Sequence, residues 1–317
     1  ERVQALIDAS ALREKSRDTL AGIGDLERLT GKAAVGRIHP REVLHLGRSL
    51  EAAERVRTEL LAADERLAGP AKTWEPPMEL ARYIQDSIEP EAPVNIAKGG
   101  VVRAGVDKDL DDLRHITTHA KELLLAIQQR EVERTGISSL KVGYNNVFGY
   151  YLEVRNTHKE KVPADWVRKQ TLTGAERYIT DELKTLEERI LSAEERIGML
   201  EQQLYGQVVE RVRQATAALQ ATAAALSQLD VLVSFADTAV VWKYARPTLT
   251  DDAKLEVREG RHPVIEQQLP PGESYVANDL LLDPDDRQMV VITGPNMSGK
   301  SALLRQTALH VLMAQCG

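Results

Sequence analysis

The sequence predicts a multi-domain, mainly α-helical chain with long helices, a short β-rich insertion and, towards its C-terminal end, the opening elements of an α/β domain. Three observations carry this. Apolar residues recur three and four apart through much of residues 1–136 and again through 181–244. Between those stretches, over Ile137–Ile179, the period falls to two. An apolar run, Met289–Ile292, then feeds a glycine-framed loop that is followed by a second helical pattern.

Composition sets the bounds. A chain of 317 residues is long enough for two or three domains. Its 43% hydrophobic and 28% charged content is ordinary for a folded protein, and 4% aromatic content suits long helices better than sandwiches. The net charge of −7 excludes a global basic field, so any nucleic-acid binding has to use a local patch. The single Cys316 offers neither a disulfide framework nor a metal cluster, which points to a reducing cytoplasm. No run approaches the roughly 18 consecutive apolar residues of a membrane span and no signal peptide is visible, so no membrane contact is expected.

Residues 1–68 read as helices. His39-Pro40 opens one of them, with Pro40 at the first helical position, where its missing N–H costs nothing. Val43, Leu44, Leu50, Ala53, Val56, Leu60 and Leu61 continue it, and Gly69-Pro70 is expected to break it. Glu89-Pro90-Glu91-Ala92-Pro93 ends the next short helix. Val94–Val106 reads as a hairpin turning at Gly99-Gly100. Asp107–Thr135 is a helix with Leu110, Leu113, Ala120, Leu124 and Ile127 on one face, stopped by Gly136.

A longer helix is expected from Asp181 to Tyr244. Its apolar positions run Leu183, Leu186, Ile190, Ala193, Ile197, Leu200, Leu204, then Val208 and Val212, and resume at Ala215, Leu219, Thr222, Leu226, Leu229, Val233, Ala236 and Val240. Steps of four around Gly206 read as a stutter. One helix of that length would be roughly 95 Å long, a strut rather than a bundle element; the plainer alternative is a helix broken near Gly206. The insertion Ile137–Ile179 would then be a knob at the tip of a lever. Within it, Arg155–Arg177 carries six cationic and three anionic residues, a local +3 on an acidic chain. Arg155, Asn156, Lys159, Lys161, Arg168, Lys169 and Arg177 are therefore candidates for contact with nucleic-acid phosphate and sugar, against the alternative of a merely solvated face.

Beyond Arg246-Pro247, Leu255-Glu256-Val257-Arg258 alternates like a strand. The Gly260-Arg261-His262-Pro263 loop, a Pro270-Pro271-Gly272 turn and Tyr275-Val276-Ala277-Asn278 follow. His262 before proline reads as structural. Then Gly294-Pro295-Asn296-Met297-Ser298-Gly299-Lys300-Ser301 matches the phosphate-binding loop G-x-x-x-x-G-K-[ST], placed between a buried strand, Met289–Ile292, and a helix with Leu303, Leu304, Ala308 and Leu312 on one side. The glycines let successive N–H groups face phosphate oxygens, and the helix adds its positive end. Lys300 suits the β- and γ-phosphates of ATP or ADP, and Ser301 suits Mg²⁺.

Several of these stretches resemble the MutS family of DNA mismatch-repair ATPases. They are Gly143-Tyr144-Asn145-Asn146-Val147-Phe148-Gly149-Tyr150-Tyr151, the segments Gln170-Thr171-Leu172 and Ala175-Glu176-Arg177-Tyr178, Glu259-Gly260-Arg261-His262-Pro263-Val264, and Thr293-Gly294-Pro295-Asn296-Met297. The Pro-Asn-Met filling of the loop is more specific than its frame. The resemblance implies a helical core and first lever helix over 1–136, an inserted DNA clamp over 137–180, a returning lever helix over 181–246, and the start of an ABC-class ATPase domain over 247–317. It implies a homodimer on mismatched or looped double-stranded DNA, with a clamp that grips backbone, a nucleotide-driven sliding state and a downstream MutL-type partner. It places Tyr275 against adenine with Val276 beside it. Ser298 stands where the family is usually small, and Ala302 where it often has Thr; neither carries phosphate chemistry.

The chain begins at Glu1 without Met and stops at Gly317 shortly after the loop's helix begins, so a piece of a longer protein is expected. The metal-binding and water-activating carboxylate, hence the catalytic residues, would lie after Gly317. The alternatives are a clampless MutS paralogue acting on branched DNA, against which the insertion and Met297 argue, and a coiled-coil ABC-type structural protein, against which the β-rich insertion argues. A small-molecule phosphotransferase is disfavoured by the lever.

Overall fold

The computed structural model describes residues 1–145, 147, 149–295 and 299–316. It is mainly helical with a small antiparallel sheet. The elements run α1 (Arg2–Asp8), α2 (Ser10–Ala21), α3 (Leu26–Ala34), α4 (Pro40–Leu61), α5 (Glu65–Ala71), α6 (Met78–Ser87), α7 (Lys108–Thr135), β1 (Lys141–Asn145), β2 (Gly149–Arg155), β3 (Val167–Thr171), β4 (Ala175–Ile179), α8 (Asp181–Gln214), α9 (Thr216–Trp242), β5 (Leu255–Gly260), α10 (Pro263–Gln268), β6 (Asn278–Leu282) and α11 (Lys300–Cys316). They fall into two compact units, one of Asp18–Ala63 and Ala68–Ser227, the other of Glu1–Arg17, Asp64–Leu67 and Gln228–Gly317.

The first unit has two cores. In one, α4 buries Val43, Leu46, Leu50 and Ala53 against α3, α6, the later half of α8 and the first turns of α9. Helix α4 starts where the His39-Pro40 signal puts it. His39 Nδ1 accepts from the Glu42 amide while the Glu42 carboxylate accepts from the His39 amide, a reciprocal cap. Burial alone would raise the Glu42 carboxyl, but Lys32 and the His39 amide outweigh it and hold the carboxyl low.

The second core lies where the sheet meets the helix pair. Asp107 caps α7 through the Leu110 amide, and Gly136 closes it in the left-handed conformation. Arg130 pairs with Glu182 and Arg114 with Glu201, so α8 runs antiparallel to α7. The sheet has order β1-β2-β4-β3, all antiparallel. Leu152, Val154 and Tyr178 from its inner face join Ala120, Leu124 and Ile127 of α7 and Leu183, Leu186 and Ile190 of α8.

Four expectations need correction. Helix α4 ends at Leu61, and Gly69-Pro70 lies inside the short helix α5 rather than at a break. Val94–Val106 is not a hairpin. The Asn95 side chain accepts from the Ala97 amide and starts a 3-10 turn, and the strand-like Val101-Val102 bonds instead across to Ser87–Glu89. The buried Glu201 carboxylate takes the Gly100 and Val101 amides and holds the segment there. The long helix passes straight through Gly206 and breaks at Ala215, where the Thr216 hydroxyl takes the Arg213 carbonyl at 2.6 Å and competes with the helical ladder. Two helices of 34 and 27 residues, about 51 Å and about 40 Å long, replace a single strut.

The fourth correction concerns the phosphate-loop helix. Leu303, Leu304, Ala308 and Leu312 do lie along a helix, but their shared side is not a core face: Leu304 and Leu312 are exposed, and the buried residue of α11 is Gln306. By length and composition α9 could cross a bilayer. Its Leu219, Ala223 and Leu226 are built into the first core, and its Asp237 pairs with Arg13, which is how a packed helix looks.

Candidate nucleotide site and nucleic-acid interface

In the second unit, β5 and β6 pair antiparallel from Leu255↔Leu282 to Gly260↔Asn278, with a register shift before Gly260. The phosphate-loop motif ends in α11, whose first residue is Lys300. Gly294 and Gly299 have φ of 151° and 84°, conformations closed to most side chains, so the backbone at each of these two positions depends on glycine. Lys300 Nζ donates to the carbonyls of Gly294 and, at 2.7 Å, Pro295, so the ammonium sits over the loop rather than out in solvent. Ser301 is exposed at the second helical position. Cationic lysine, a turned glycine frame and a 17-residue helix N-terminus fit a phosphate group, and the Ser301 hydroxyl fits a magnesium ion bound to it. Asn296, Met297 and Ser298 lie outside the described residues.

The run expected as a buried strand, Met289–Ile292, is not one. Met289 is 82% exposed and Val291 77%, and among the described residues no strand lies beside them. A strand needs a neighbour for its amides and carbonyls, and apolar content alone does not supply one.

Tyr275 and Val276 differ. Val276 is 81% exposed with its side chain in no core. The Tyr275 hydroxyl donates to Gln306 Oε1 at 3.0 Å, and its ring lies 6.5 Å from that of His262, tilted 56°. Burial pushes the Tyr275 phenol up, so the proton it donates stays on at neutral pH. His262 is structural, as its place before proline suggests: Nδ1 accepts from the Val264 and Ile265 amides and caps α10. His310 of α11 bonds the Arg261 carbonyl at 2.9 Å. Arg261 in turn donates to the carbonyls of Trp242, the last residue of α9, and of Lys243 just after it, and pairs with Glu266.

In the first unit the structure sorts the cationic candidates. Arg177 is committed to the sheet. It pairs with Glu153 at 3.1 Å, donates to Gln170 at 2.9 Å and stacks over the Tyr151 ring at 4.3 Å. Arg168 and Lys159 converge on one oxygen of Glu176, at 3.4 and 4.0 Å, while both heads remain exposed. Glu176 itself is buried on the inner face of β4. The Tyr178 hydroxyl bonds its other oxygen, and that bond, with the charges of Arg168 and Lys159, holds the carboxyl below the usual range. Burial first, then the same bond, pushes the Tyr178 phenol up to about 12. Asn156 donates its amide to the Thr173 carbonyl, tying the segment after β2 to the β3–β4 turn. Arg155, Lys161 and Lys169 are exposed, with no side-chain partner among the described residues.

Residues 105–196, which hold α7, the sheet and the first half of α8, match MutS family domain IV; residues 290–317, the phosphate loop and α11, match MutS domain V. Proteins named DNA mismatch repair protein MutS are similar over almost the whole chain. That of Phocaeicola vulgatus is 51% identical over 96% of this chain and 35% of its own length. That of Cytophaga hutchinsonii is 50% identical over 99% and 37%, and that of Porphyromonas gingivalis 51% over 94% and 34%.

The chain belongs to the MutS family.

It spans about a third of the length of the curated MutS relatives it matches. The match to domain IV covers the sheet together with the helices that carry it, which is how the second core is built. Three residues of these sites escaped the sequence reading. Gln306 and Glu176 are polar residues at inward positions, and Arg261 works through backbone carbonyls. An acid at an inward strand position, two residues from Tyr178, was the one available signal.

Proposed function

We propose that the protein acts in DNA mismatch repair as a MutS-type, ATP-dependent clamp on mismatched or looped double-stranded DNA. The observation that carries this is the pairing, in one chain, of a Lys300-centred phosphate loop with a charged four-stranded sheet on a helix pair, at half identity to proteins named for mismatch repair. Residues 1–136 serve as helical core and first lever helix, 137–180 as clamp, 181–246 as returning lever, and 247–317 as the start of an α/β, ABC-class ATPase domain. ATP or ADP with Mg²⁺ is the nucleotide, held through the loop, Lys300 and Ser301, with Tyr275 and Val276 on the base side. Arg155, Asn156, Lys159, Lys161, Arg168 and Lys169 face the DNA backbone. Arg177 supports the sheet instead. The working protein is a cytoplasmic homodimer that hands on to a MutL-type partner.

The sheet between α7 and α8 favours this reading over a clampless paralogue, and the short helix pair favours it over a coiled-coil structural protein. Lys300→Ala tests it in the protein. ATP-driven release from mismatched DNA should be abolished while initial binding persists, because the phosphate charge loses its counter-ion and the DNA contacts do not. Wild-type release kinetics in that variant, read by stopped-flow fluorescence on labelled duplex, would rule out the phosphate-loop assignment.

A further inference from the structure

Helix α11 is packed inside out. It exposes Leu304 and Leu312 and buries a glutamine, Gln306, to 1% exposure. A buried amide is costly unless it is hydrogen-bonded. Its Oε1 accepts from the Tyr275 hydroxyl at 3.0 Å. Its Nε2 lies against Gly260 so closely that a Cβ there would come within 2.6 Å of it, and within 2.6 Å of Val257 and 3.0 Å of the Asn278 carbonyl. Gln306 is thus wedged between the end of β5 and the Tyr275 ring. His262, itself fixed by capping α10, also lies beside that ring. Lys300 opens the same helix, six residues before Gln306, so the two are separated by about 9 Å of helical rise.

We infer that Gln306 is a positioning residue: by tethering the Tyr275 hydroxyl to the helix that carries Lys300, it sets the spacing between the ring that meets the nucleotide base and the loop that meets its phosphates. The inference rests on the nucleotide reading above. A phenylalanine would offer the same stacking face but no tether, so the hydroxyl gives this chain a fixed ring where a bare ring would turn freely. A nucleoside diphosphate gains from the fixed spacing, because the ring is ordered before it binds. A base-free polyphosphate gains nothing.

Calorimetric titration of the protein with Mg-ADP and with inorganic tripolyphosphate tests this on Tyr275→Phe, Gln306→Met and the double variant. Each single change should weaken ADP binding by about twofold to tenfold, the range one net hydrogen bond supplies. The double variant should be no weaker than either single one, and tripolyphosphate binding should be unchanged throughout. Tyr275→Phe leaves the buried amide in place and decides the matter if Gln306→Met does not fold. Wild-type ADP affinity in Tyr275→Phe, additive losses in the double variant, or equal losses for ADP and tripolyphosphate would each overturn the tether. If the unsubstituted protein binds tripolyphosphate as tightly as ADP, the base-side role of Tyr275 falls; if it binds neither, the phosphate-loop reading falls with it.

Discussion

The four-stranded sheet and the stretch leading into the phosphate loop make opposite use of similar residues. In the sheet, the inward Leu152, Val154 and Tyr178 pack against α7 and α8, and Leu152 and Val154 are wholly buried. Some of its charges are paired within it: Arg177 with Glu153, and Arg168, with Lys159 from the segment after β2, with Glu176. In the stretch Met289–Ile292, an equally apolar run stays exposed, while the ammonium that follows it is gathered by carbonyls of its own loop. The sheet has its hydrogen-bonding neighbours within the described residues and the run does not. Apolar sequence says that a segment is suited to burial; only a neighbouring element buries it.

The largest difference between the two regions should be in stability. Leu152→Ala empties a site in the packed second core and should cost about 2–5 kcal/mol. Val291→Ala, on the exposed run, should stay within about 0.5 kcal/mol. Urea titration with hydrogen exchange read separately on β2 and on residues 289–292 checks both. A similar cost at Val291 would mean that the run is buried after all and would break the contrast.

Next in size comes the division among the sheet's cations. Replacing Arg168 and Lys169 together by Ala should weaken matched and mismatched duplex by a similar factor and lower the slope of log affinity against log salt by up to about 0.9 per lost phosphate contact. Arg177→Ala should leave the slope unchanged and lower stability instead, because its guanidinium is committed to Glu153, Gln170 and Tyr151. Salt-titrated fluorescence anisotropy on the two duplexes separates these outcomes. An unchanged slope in the double variant would remove Arg168 and Lys169 from the DNA face, and a loss confined to mismatched DNA would show that the sheet reads more than backbone.

The smallest effect is on the acid limb of stability. The Glu176 carboxyl is held low in the folded protein, first by the Tyr178 bond and then by Arg168 and Lys159. A depressed carboxyl contributes stability that is present above its unfolded pKa and is lost as pH falls through the folded value. Glu176→Gln should therefore flatten the stability of the sheet below the usual carboxylate range. Glu256 on β5, held low by exposed Arg258 and Lys254, is a control from the second unit, and Glu256→Gln should barely alter the curve. Thermal melts between neutral and acidic pH compare the two, and parallel acid limbs for wild type and Glu176→Gln would discard the role given to Tyr178 and the two cations.

The sequence by itself determined what local rules decide. The starts of α4 and α7 follow from His39-Pro40 and Asp107, because a cap needs only residues within one turn. The change of period at Ile137 marked the sheet, because alternation is a property of each strand. The glycines of the phosphate loop and Lys300 were legible because their spacing is their geometry. Tertiary structure alone decided the rest. Gly99-Gly100 looks like a hairpin turn until the Glu201 carboxylate, a hundred residues on, claims the Gly100 and Val101 amides. Met289–Ile292 looks like a strand, yet its exposure depends on what lies beside it. Cationic residues that read alike in the chain divide into Arg177, which braces the sheet, and Lys169, which remains exposed, because an ion pair depends on which acid the fold brings within reach. Gln306 reads as a surface residue on an amphipathic helix, and only the approach of Tyr275 and Gly260 gives its buried amide something to hold. Caps and periods act between residues already adjacent along the chain, whereas burial and charge pairing act between residues that only folding makes neighbours.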